Sequence, residues 1–147
     1  MSTVQGGRLV FGKKGHVFGP TSEGGTGNIT GTVFTLIPTA GGSYNFTTIY
    51  NFGDVGSGDA DYPIGGLRFD ELGHLYGTSA YGGSFDWGTV FELVHRKGSW
   101  TETVLHSFDK FATTPSSGVT TDGKGHFFGT TLYGGANNAG TVFEITP

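Results

Sequence analysis

Three histidines recur at matching places along the chain, and histidine is a common ligand of transition-metal ions. His16, His74 and His126 each follow a glycine and stand 58 and 52 residues apart. Residues at equal positions of successive repeat units usually lie too far apart to share one ion, which zinc sites hold at about 2.1 Å from each nitrogen. We therefore interpret the three histidines as turn residues rather than as a metal site.

Three aspartates stand close together in a glycine-rich stretch, and carboxylate oxygens are the ligands that calcium prefers. They are Asp54, Asp59 and Asp61, within the sequence Gly-Asp-Val-Gly-Ser-Gly-Asp-Ala-Asp. Their spacing differs from the Asp-x-Asp-x-Asp-Gly loop with a distal glutamate that forms an EF-hand site. A solvated acidic turn is the simpler interpretation, so we predict no metal and no cofactor.

Hydrolytic chemistry would need groups that converge, and the sequence offers few. It contains no Gly-x-Ser-x-Gly nucleophile elbow, no His-Glu-x-x-His zinc motif and no phosphate-binding loop. Glu92 and Glu144 recur in the same strand of two repeat units, but Thr35 replaces them in the first unit, which indicates an exposed strand face. A glycoside hydrolase would require a pocket with two carboxylates about 5 to 10 Å apart. We therefore expect a non-catalytic protein, with hydrolase activity as the weakest alternative.

Aromatic and amide side chains occur in loops that we expect to share one surface of the molecule. Aromatic rings stack on the C–H faces of sugars, while amide groups bond to sugar hydroxyls. The candidate ligand-binding residues are Tyr81, Phe85, Trp87, Tyr133, Asn137 and Asn138. A carbohydrate-binding, lectin-like module is therefore one hypothesis. The alternative is that Tyr81 and Tyr133 recur because they pack between repeat units, and that Trp87 is an isolated surface ring.

The elements that position these residues come from a repeat of more than fifty residues. Its marker is Gly-Thr-Val-Phe, at residues 31–34, 88–91 and 140–143, and a Gly-His pair and then a Gly-Gly pair precede it each time. The period is close to the roughly 40 to 50 residues of propeller blades and longer than that of most solenoids. Each unit is therefore interpreted as one four-stranded blade, or close to it.

Within each unit, short β-branched and aromatic runs separated by glycine-rich turns predict antiparallel strands. The predicted strands are residues 9–11, 16–19, 31–37 and 44–52; 67–70, 74–78, 88–94 and 100–108; and 119–121, 126–130 and 140–145. The third unit stops at Pro147 without a fourth strand, which leaves eleven strands in a single domain, 1–147. The approximate blade limits are 6–62, 63–114 and 115–147. No stretch sustains a helical apolar period, so the predicted fold class is all-β.

Composition agrees with a turn-rich β protein and excludes several partners. The 147 residues include 29 glycines but only 14% charged residues, and there are no cysteines to form disulfides. The net charge is −4 and the eight lysines and arginines are scattered, so neither nucleic acid nor an anionic membrane is an expected partner. No apolar run reaches the roughly 18 residues of a membrane span, and no signal-peptide pattern opens the chain. The chain as given is expected to be soluble, and its localisation stays open, including secretion after removal of a signal.

Residues 66–78 read Gly-Leu-Arg-Phe-Asp-Glu-Leu-Gly-His-Leu-Tyr-Gly-Thr, and Tyr-Gly-Gly at 81–83, Gly-Thr-Val-Phe-Glu-Leu at 88–93 and Val-Leu-His-Ser-Phe at 104–108 follow. This run resembles a bacterial tandem repeat whose signatures are Gly-Asn-Leu-Tyr-Gly-Thr-Thr and Gly-Thr-Val-Phe. The resemblance covers nearly the whole chain and implies β-propeller blades with an NHL-type strand plan, the first strand innermost and the fourth outermost. It implies no shared activity. His16, His74 and His126 stand where asparagine is usual in that repeat.

Three blades are fewer than the 4 to 8 of most closed propellers. An open arc exposes one sheet face at each end, about 300 Å² each from ordinary strand spacings, and two such faces reach the apolar patch size that monomers rarely expose. We therefore expect the chain to associate with itself, as a homodimer that forms a six-bladed ring or, alternatively, as a homotrimer with nine blades. An excised piece of a longer propeller and a part engineered for self-assembly remain open alternatives to a complete natural protein.

Overall fold

The computed structural model of the chain describes residues 7–25, 30–53 and 58–147, which consist almost entirely of antiparallel strands and turns. Within these ranges the one helical element is a 3-10 turn at Lys13–Gly15. The strands are rich in Val, Phe and Thr, which pack well on a pleated surface. The expectation of an all-β fold is therefore confirmed. The same ranges contain no helix that is long and apolar enough to cross a membrane.

Four strands form the first sheet, and each pairs with the next along the chain. They are β1 (Val10–Phe11), β2 (Val17–Thr21), β3 (Thr32–Pro38) and β4 (Tyr44–Asn51). Most residues of β4 are exposed, while β2 and the first half of β3 are buried. The fourth strand is thus the outer, solvent-facing edge of the sheet, as predicted.

Residues 60–107 add six strands. They are β5 (Ala60–Asp61), β6 (Arg68–Phe69), β7 (Leu75–Ser79), β8 (Tyr81–Gly82), β9 (Thr89–Arg96) and β10 (Ser99–Ser107). The second sheet has the order β6-β7-β9-β10, whereas β5 pairs with β8 in a separate two-stranded ladder. Lys97 and Gly98, with φ of 51° and 84°, join β9 to β10 through the two-residue turn that fits the twist of a hairpin.

The last part of the chain repeats this plan with one strand fewer. Its strands are β11 (Ala112–Thr113), β12 (Thr120–Thr121), β13 (Phe127–Thr130), β14 (Tyr133–Gly134) and β15 (Val142–Ile145). The third sheet has the order β12-β13-β15, and β11 pairs with β14. In the described residues the sheets therefore hold four, four and three strands, as predicted, and the two small ladders are additional.

Consecutive sheets pack face to face through phenylalanines at equivalent positions. Phe52, just after β4, packs edge-on against Phe91 of the second sheet, with ring centroids 5.0 Å apart. Phe108, just after β10, packs in the same way against Phe143 of the third sheet, also at 5.0 Å. Phe52, Phe91 and Phe108 are almost completely buried. The fourth strand of each of the first two sheets thus ends in a ring that anchors the next sheet.

A glycine in the second strand of each sheet makes room for one of these rings. A side chain at Gly77 would collide with the ring of Phe91 and with Leu67, and the matching glycines of the other two sheets also lie against a phenylalanine ring. The glycine and phenylalanine pairs are Gly19 with Phe34, Gly77 with Phe91, and Gly129 with Phe143. The phenylalanine of the Gly-Thr-Val-Phe marker therefore lies across the neighbouring strand, and this packing explains why the two motifs recur together.

Candidate functional site

The loops that carry the candidate ligand-binding residues lie together because backbone pairing holds them. β5, in the segment that enters the second sheet, pairs with β8, in the loop between β7 and β9. β11 and β14 form the same ladder at the third sheet, with Thr113 opposite Tyr133. The segments that follow the fourth strands and the loops that follow the second strands therefore form one surface, which we call the loop surface.

Aromatic side chains are exposed on the loop surface. Tyr81, Phe85, Trp87 and Tyr133 are 45–60% exposed, and Asn137 is exposed as well. Tyr81 contacts the ring of Tyr62 edge-on, with centroids 5.6 Å apart. The rings are thus available to a partner, although Tyr81 also has the packing role that the alternative interpretation gave it.

Asn138 has a local structural task. Its φ is +52°, and its side-chain oxygen accepts a hydrogen bond from the backbone N–H of Gly134 at 2.9 Å. Asp86 does the same in the second unit, with φ +60° and a 2.9 Å bond from Gly82. Asn and Asp adopt the left-handed conformation more easily than most residues and stabilise turns through such bonds. The carboxamide oxygen of Asn138 is therefore engaged in its own turn.

Two further apolar side chains on the loop surface were not predicted from the sequence. Phe111 is 68% exposed and Leu132 is 52% exposed. Phe111 immediately precedes β11 and Leu132 immediately precedes β14, so both belong to the ladder of the third unit. Neither carried a sequence signal, because the two-residue strands that position them are too short for alternation to be recognised.

Left-handed residues join the loops of successive units. Tyr62, with φ +54°, donates its N–H to the carbonyl of Thr30 and accepts from the N–H of Ala80, both at 2.9 Å. Thr114, with φ +56°, bonds in the same way to Trp87 at 3.1 Å and to Leu132 at 3.0 Å. The backbone of each connecting segment thus ties the preceding unit to the following one, which fixes the loop surface as a continuous structure.

The recurring histidines lie in the turns before β2, β7 and β13, as predicted from the sequence. In the second unit, Asp70 Oδ1 accepts the backbone N–H groups of Gly73 and His74 at 2.7 and 2.8 Å. In the third, Asp122 Oδ2 lies 2.8 Å from Nδ1 of His126. The backbone N–H of Lys124 holds the pKa of Asp122 below its usual value, and His126 adds to this effect. No group of three or more potential metal ligands occurs in the described ranges.

The second unit holds a polar network at the beginning of β7. The hydroxyl of Tyr76 donates to Glu92 at 2.7 Å and lies 3.3 Å from Asp70, while His74 Nδ1 lies 3.1 and 3.3 Å from the same two carboxylates. Burial raises the pKa of Tyr76 and both carboxylates raise it further, so the phenol keeps its proton. The expectation that Glu92 lies on an exposed face was wrong, because its side chain is only 17% exposed and fully engaged here. Glu144, by contrast, is exposed.

The aspartates considered for calcium have different roles. Asp54 lies outside the described residues. Asp59 accepts the backbone N–H of Gly53 at 2.8 Å and that of Ala60 at 2.9 Å, which stabilises the turn into β5. Asp61 lies within β5, where burial raises its pKa and the charge of Asp86 adds to the shift.

Equivalent positions in the three sheets differ sharply in exposure at the two ends of the stack. The valine of the Gly-Thr-Val-Phe marker is fully buried as Val33 and Val90, but Val142 is 80% exposed. The leucine that contacts the glycine of the second strand is 7% exposed as Leu67 and 58% exposed as Leu9. The first sheet therefore presents an apolar face, the leading face, and the third sheet presents another, the trailing face.

The leading face carries the larger rings. Phe11 is 75% exposed and Phe46 is 62% exposed, and the ring of Phe46 stacks on Phe34 at 5.3 Å. Phe11 of β1 and Phe34 of β3 lie on the same side of the first sheet by register, and Leu9, two residues before Phe11, lies on that side by alternation. Phe34 is the equivalent of Phe91 and Phe143, which receive the anchoring rings of a preceding sheet.

The comparisons with known proteins identify the repeat but add no relative of known activity. No curated protein and no solved structure matches the chain. The sequence profile of the Gloeobacter/Verrucomicrobia repeat matches residues 2–147 and so spans all three sheets. This is consistent with the bacterial tandem repeat that the signatures suggested. The chain therefore belongs to the Gloeobacter/Verrucomicrobia repeat family.

Proposed function

We propose that this chain is a non-catalytic β-propeller building block that associates head to tail with a second copy of itself to form a six-bladed ring. The single observation that carries the proposal is the contrast in exposure between equivalent residues. Val90 and Leu67 are buried where a neighbouring sheet covers them, while Val142 and Leu9 are exposed at the ends. A second copy would cover both sets with the surface that already covers their equivalents.

The internal contacts supply the template for this association. The leading face of the first sheet has the same residue plan as the face of the second sheet that the first sheet covers: Leu9, Gly19 and Phe34 match Leu67, Gly77 and Phe91. The trailing face of the third sheet likewise matches the face of the second sheet that the third sheet covers. A trailing face of one copy would thus meet a leading face of another through the same sheet faces as within the chain, but without an anchoring ring after a fourth strand, which the described third sheet lacks.

The number of copies follows from closure. Head-to-tail contacts form a closed ring when the rotation per chain is right, and otherwise continue as a filament. Most closed propellers have 4 to 8 blades. Two chains of three units give six blades, within that range, whereas the alternative homotrimer would give nine. The homodimer is therefore the preferred assembly.

The proposal is tested by placing a charge on the trailing face. Val142→Arg should dissociate the assembly because an unpaired guanidinium would be desolvated at the interface. Leu72→Arg is the matched control, since Leu72 is 79% exposed and lies in the turn between β6 and β7, away from both end faces. Sedimentation velocity would compare the two variants at equal concentration. A Val142→Arg protein that sediments like the unmodified chain would contradict the proposal.

A second candidate function is carbohydrate binding at the loop surface. The observation that favours it is the number of apolar side chains that loops expose there, including Phe85, Trp87 and Phe111 at 45–68%. Rings beside polar groups suit the stacking and hydrogen bonding of sugars. A glycan array would test it: binding should be lost in Trp87→Ala while the oligomer stays intact. An array without any specific signal would refute this candidate and leave the assembly proposal untouched.

A further inference from the structure

A cleft of about 630 Å³ lies between the first and second sheets, away from the loop surface and from both end faces. Its walls include the aromatic rings of Phe18, Trp100, His16 and His95. The aliphatic side chain of Ile37 and the buried hydroxyl group of Thr35 also line the cleft. Ligand pockets of proteins typically measure about 300 to 1,000 Å³ and combine apolar walls with a few polar groups. The volume of the cleft lies within this range, and its lining has the same combination of groups.

Thr35 is the polar group on which the inference depends. The residue is only 4% exposed, and its Oγ1 has no hydrogen-bond partner within the described part of the chain. It lies opposite Phe18 in the β2–β3 register, so both side chains point toward the second sheet and into the cleft. Leaving a buried hydroxyl unpaired costs about 1 to 3 kcal/mol, and such groups are rare. Oγ1 itself has almost no accessible surface, so an oxygen or nitrogen from outside the chain would bond to it only after the side chains that cover it shift.

The first sheet lacks the polar network of the second. Glu92 occupies the position of Thr35 in the second sheet, where it accepts a hydrogen bond from Tyr76 and lies 3.1 Å from His74 Nδ1. In the first sheet the equivalent of Tyr76 is Phe18, which has no hydroxyl. The first sheet therefore has an unpartnered threonine hydroxyl where the second sheet has a hydrogen-bonded network.

The ring geometry specifies the shape of the ligand. His95 stacks on Trp100 with centroids 5.0 Å apart and 30° between the ring planes, and Trp100 meets Phe18 edge-on at 6.1 Å. Flat rings gain energy from such offset-stacked and edge-on contacts. Among the described residues that line the cleft, none carries a carboxylate. The lining therefore favours a flat, apolar ring with one hydrogen-bonding group and without a positive charge.

We propose that this cleft binds a planar aromatic ligand that carries a hydroxyl group, with the ring beside Trp100 and Phe18 and the hydroxyl bonded to Thr35 Oγ1. The proposal is independent of the assembly, because both walls of the cleft belong to one chain.

The experiment uses p-cresol as the probe and toluene, which lacks the hydroxyl, as its matched control ligand. Binding is followed by NMR through the indole N–H of Trp100. The chain has two tryptophans, so the Trp87→Phe substitution leaves Trp100 as the source of the indole signal. Both ligands are titrated into three proteins that carry Trp87→Phe: one with Thr35 unchanged (the Thr35 protein), one with Thr35→Val and one with Thr101→Val. The last is the control variant, because Thr101 is exposed on β10 and is not part of the cleft lining.

We expect p-cresol to bind the Thr35 protein about fivefold to tenfold more tightly than the Thr35→Val protein, since one hydrogen bond contributes about 1 kcal/mol. Toluene should bind both equally, and Thr101→Val should change neither ligand. Thr35→Val should fold normally, because its Oγ1 makes no bond to lose. Equal affinities of p-cresol for the Thr35 and Thr35→Val proteins would overturn the proposal, and so would the absence of p-cresol binding, which would mean that the cleft holds only water.

Discussion

Val90 and Val142 occupy the same position of two successive repeat units, yet Val90 is fully buried and Val142 is 80% exposed. The difference arises because the third sheet covers Val90, whereas in the described residues no sheet lies beyond Val142. Burial of apolar surface contributes about 25 cal/mol per Å². Burial of Val90 therefore stabilises the contact between the second and third sheets. The exposed Val142 would gain the same kind of stabilisation if a second copy of the chain covered it.

Phe108 should be one of the most important residues for stability. It is 2% exposed and its ring packs on Phe143 where the second and third sheets meet. We expect Phe108→Ala to lower the free energy of unfolding by about 3 to 5 kcal/mol, through lost burial and the resulting cavity. Urea denaturation monitored by circular dichroism would measure this.

Phe85→Ala is the control for that experiment, because Phe85 is 60% exposed. It should change stability by less than about 0.5 kcal/mol. If the two variants unfolded at the same urea concentration, the stacking of sheets through Phe108 would not contribute as described.

Gly77 should tolerate no side chain. Its added Cβ would collide with the ring of Phe91, which is completely buried and cannot move aside. We expect Gly77→Ala to destabilise the fold by about 1 to 3 kcal/mol through overpacking. The control is Gly41→Ala in the turn between β3 and β4, where the nearest atom is 4.0 Å away. Equal melting temperatures for the two variants would show that the close approach is not required.

Asp61 should make the stability depend on pH in a particular direction. Burial raises its pKa above the usual 3.8, so the folded protein disfavours the ionised form. The folded protein is therefore most stable, with respect to this group, below the pKa that Asp61 has in the unfolded chain. That contribution to the free energy of unfolding is lost as the pH rises through the pKa of Asp61 in the folded protein. Asp61→Asn should therefore stabilise the protein at neutral pH, by less than about 1 kcal/mol for a partly exposed group.

The measurement is a comparison of melting temperatures at pH 7 and pH 3. The gain from Asp61→Asn should be present at pH 7 and should disappear at pH 3, where the carboxyl group is protonated in both the folded and the unfolded chain. A variant that is less stable than the unmodified protein at pH 7 would argue against the desolvation of Asp61.

The sequence predicted the main sheets well because the repeat samples each strand more than once. The strand of the Gly-Thr-Val-Phe marker appears in three versions, so β3, β9 and β15 were located within a few residues. The ladders of β5 with β8 and β11 with β14 were not predicted, since two residues are too few to show alternation and their pairing is tertiary.

The environments of individual polar side chains were harder to predict. Glu92 was expected to be exposed because Thr35 replaces it in the first unit, but it is partly buried in a network with Tyr76. The replacement reflects a difference between the first and second sheets rather than solvent exposure. Composition and spacing do not show which side chains a neighbouring sheet will cover, and so the cleft at Thr35 became evident only from the packing.

The central claim is that the leading and trailing faces meet in a second copy of the chain. The molar mass in solution tests it most directly, by size-exclusion chromatography with light scattering at micromolar concentration. We predict a single species of twice the 15.4 kDa chain mass. A stable species of 15.4 kDa that persists at high concentration would contradict the account.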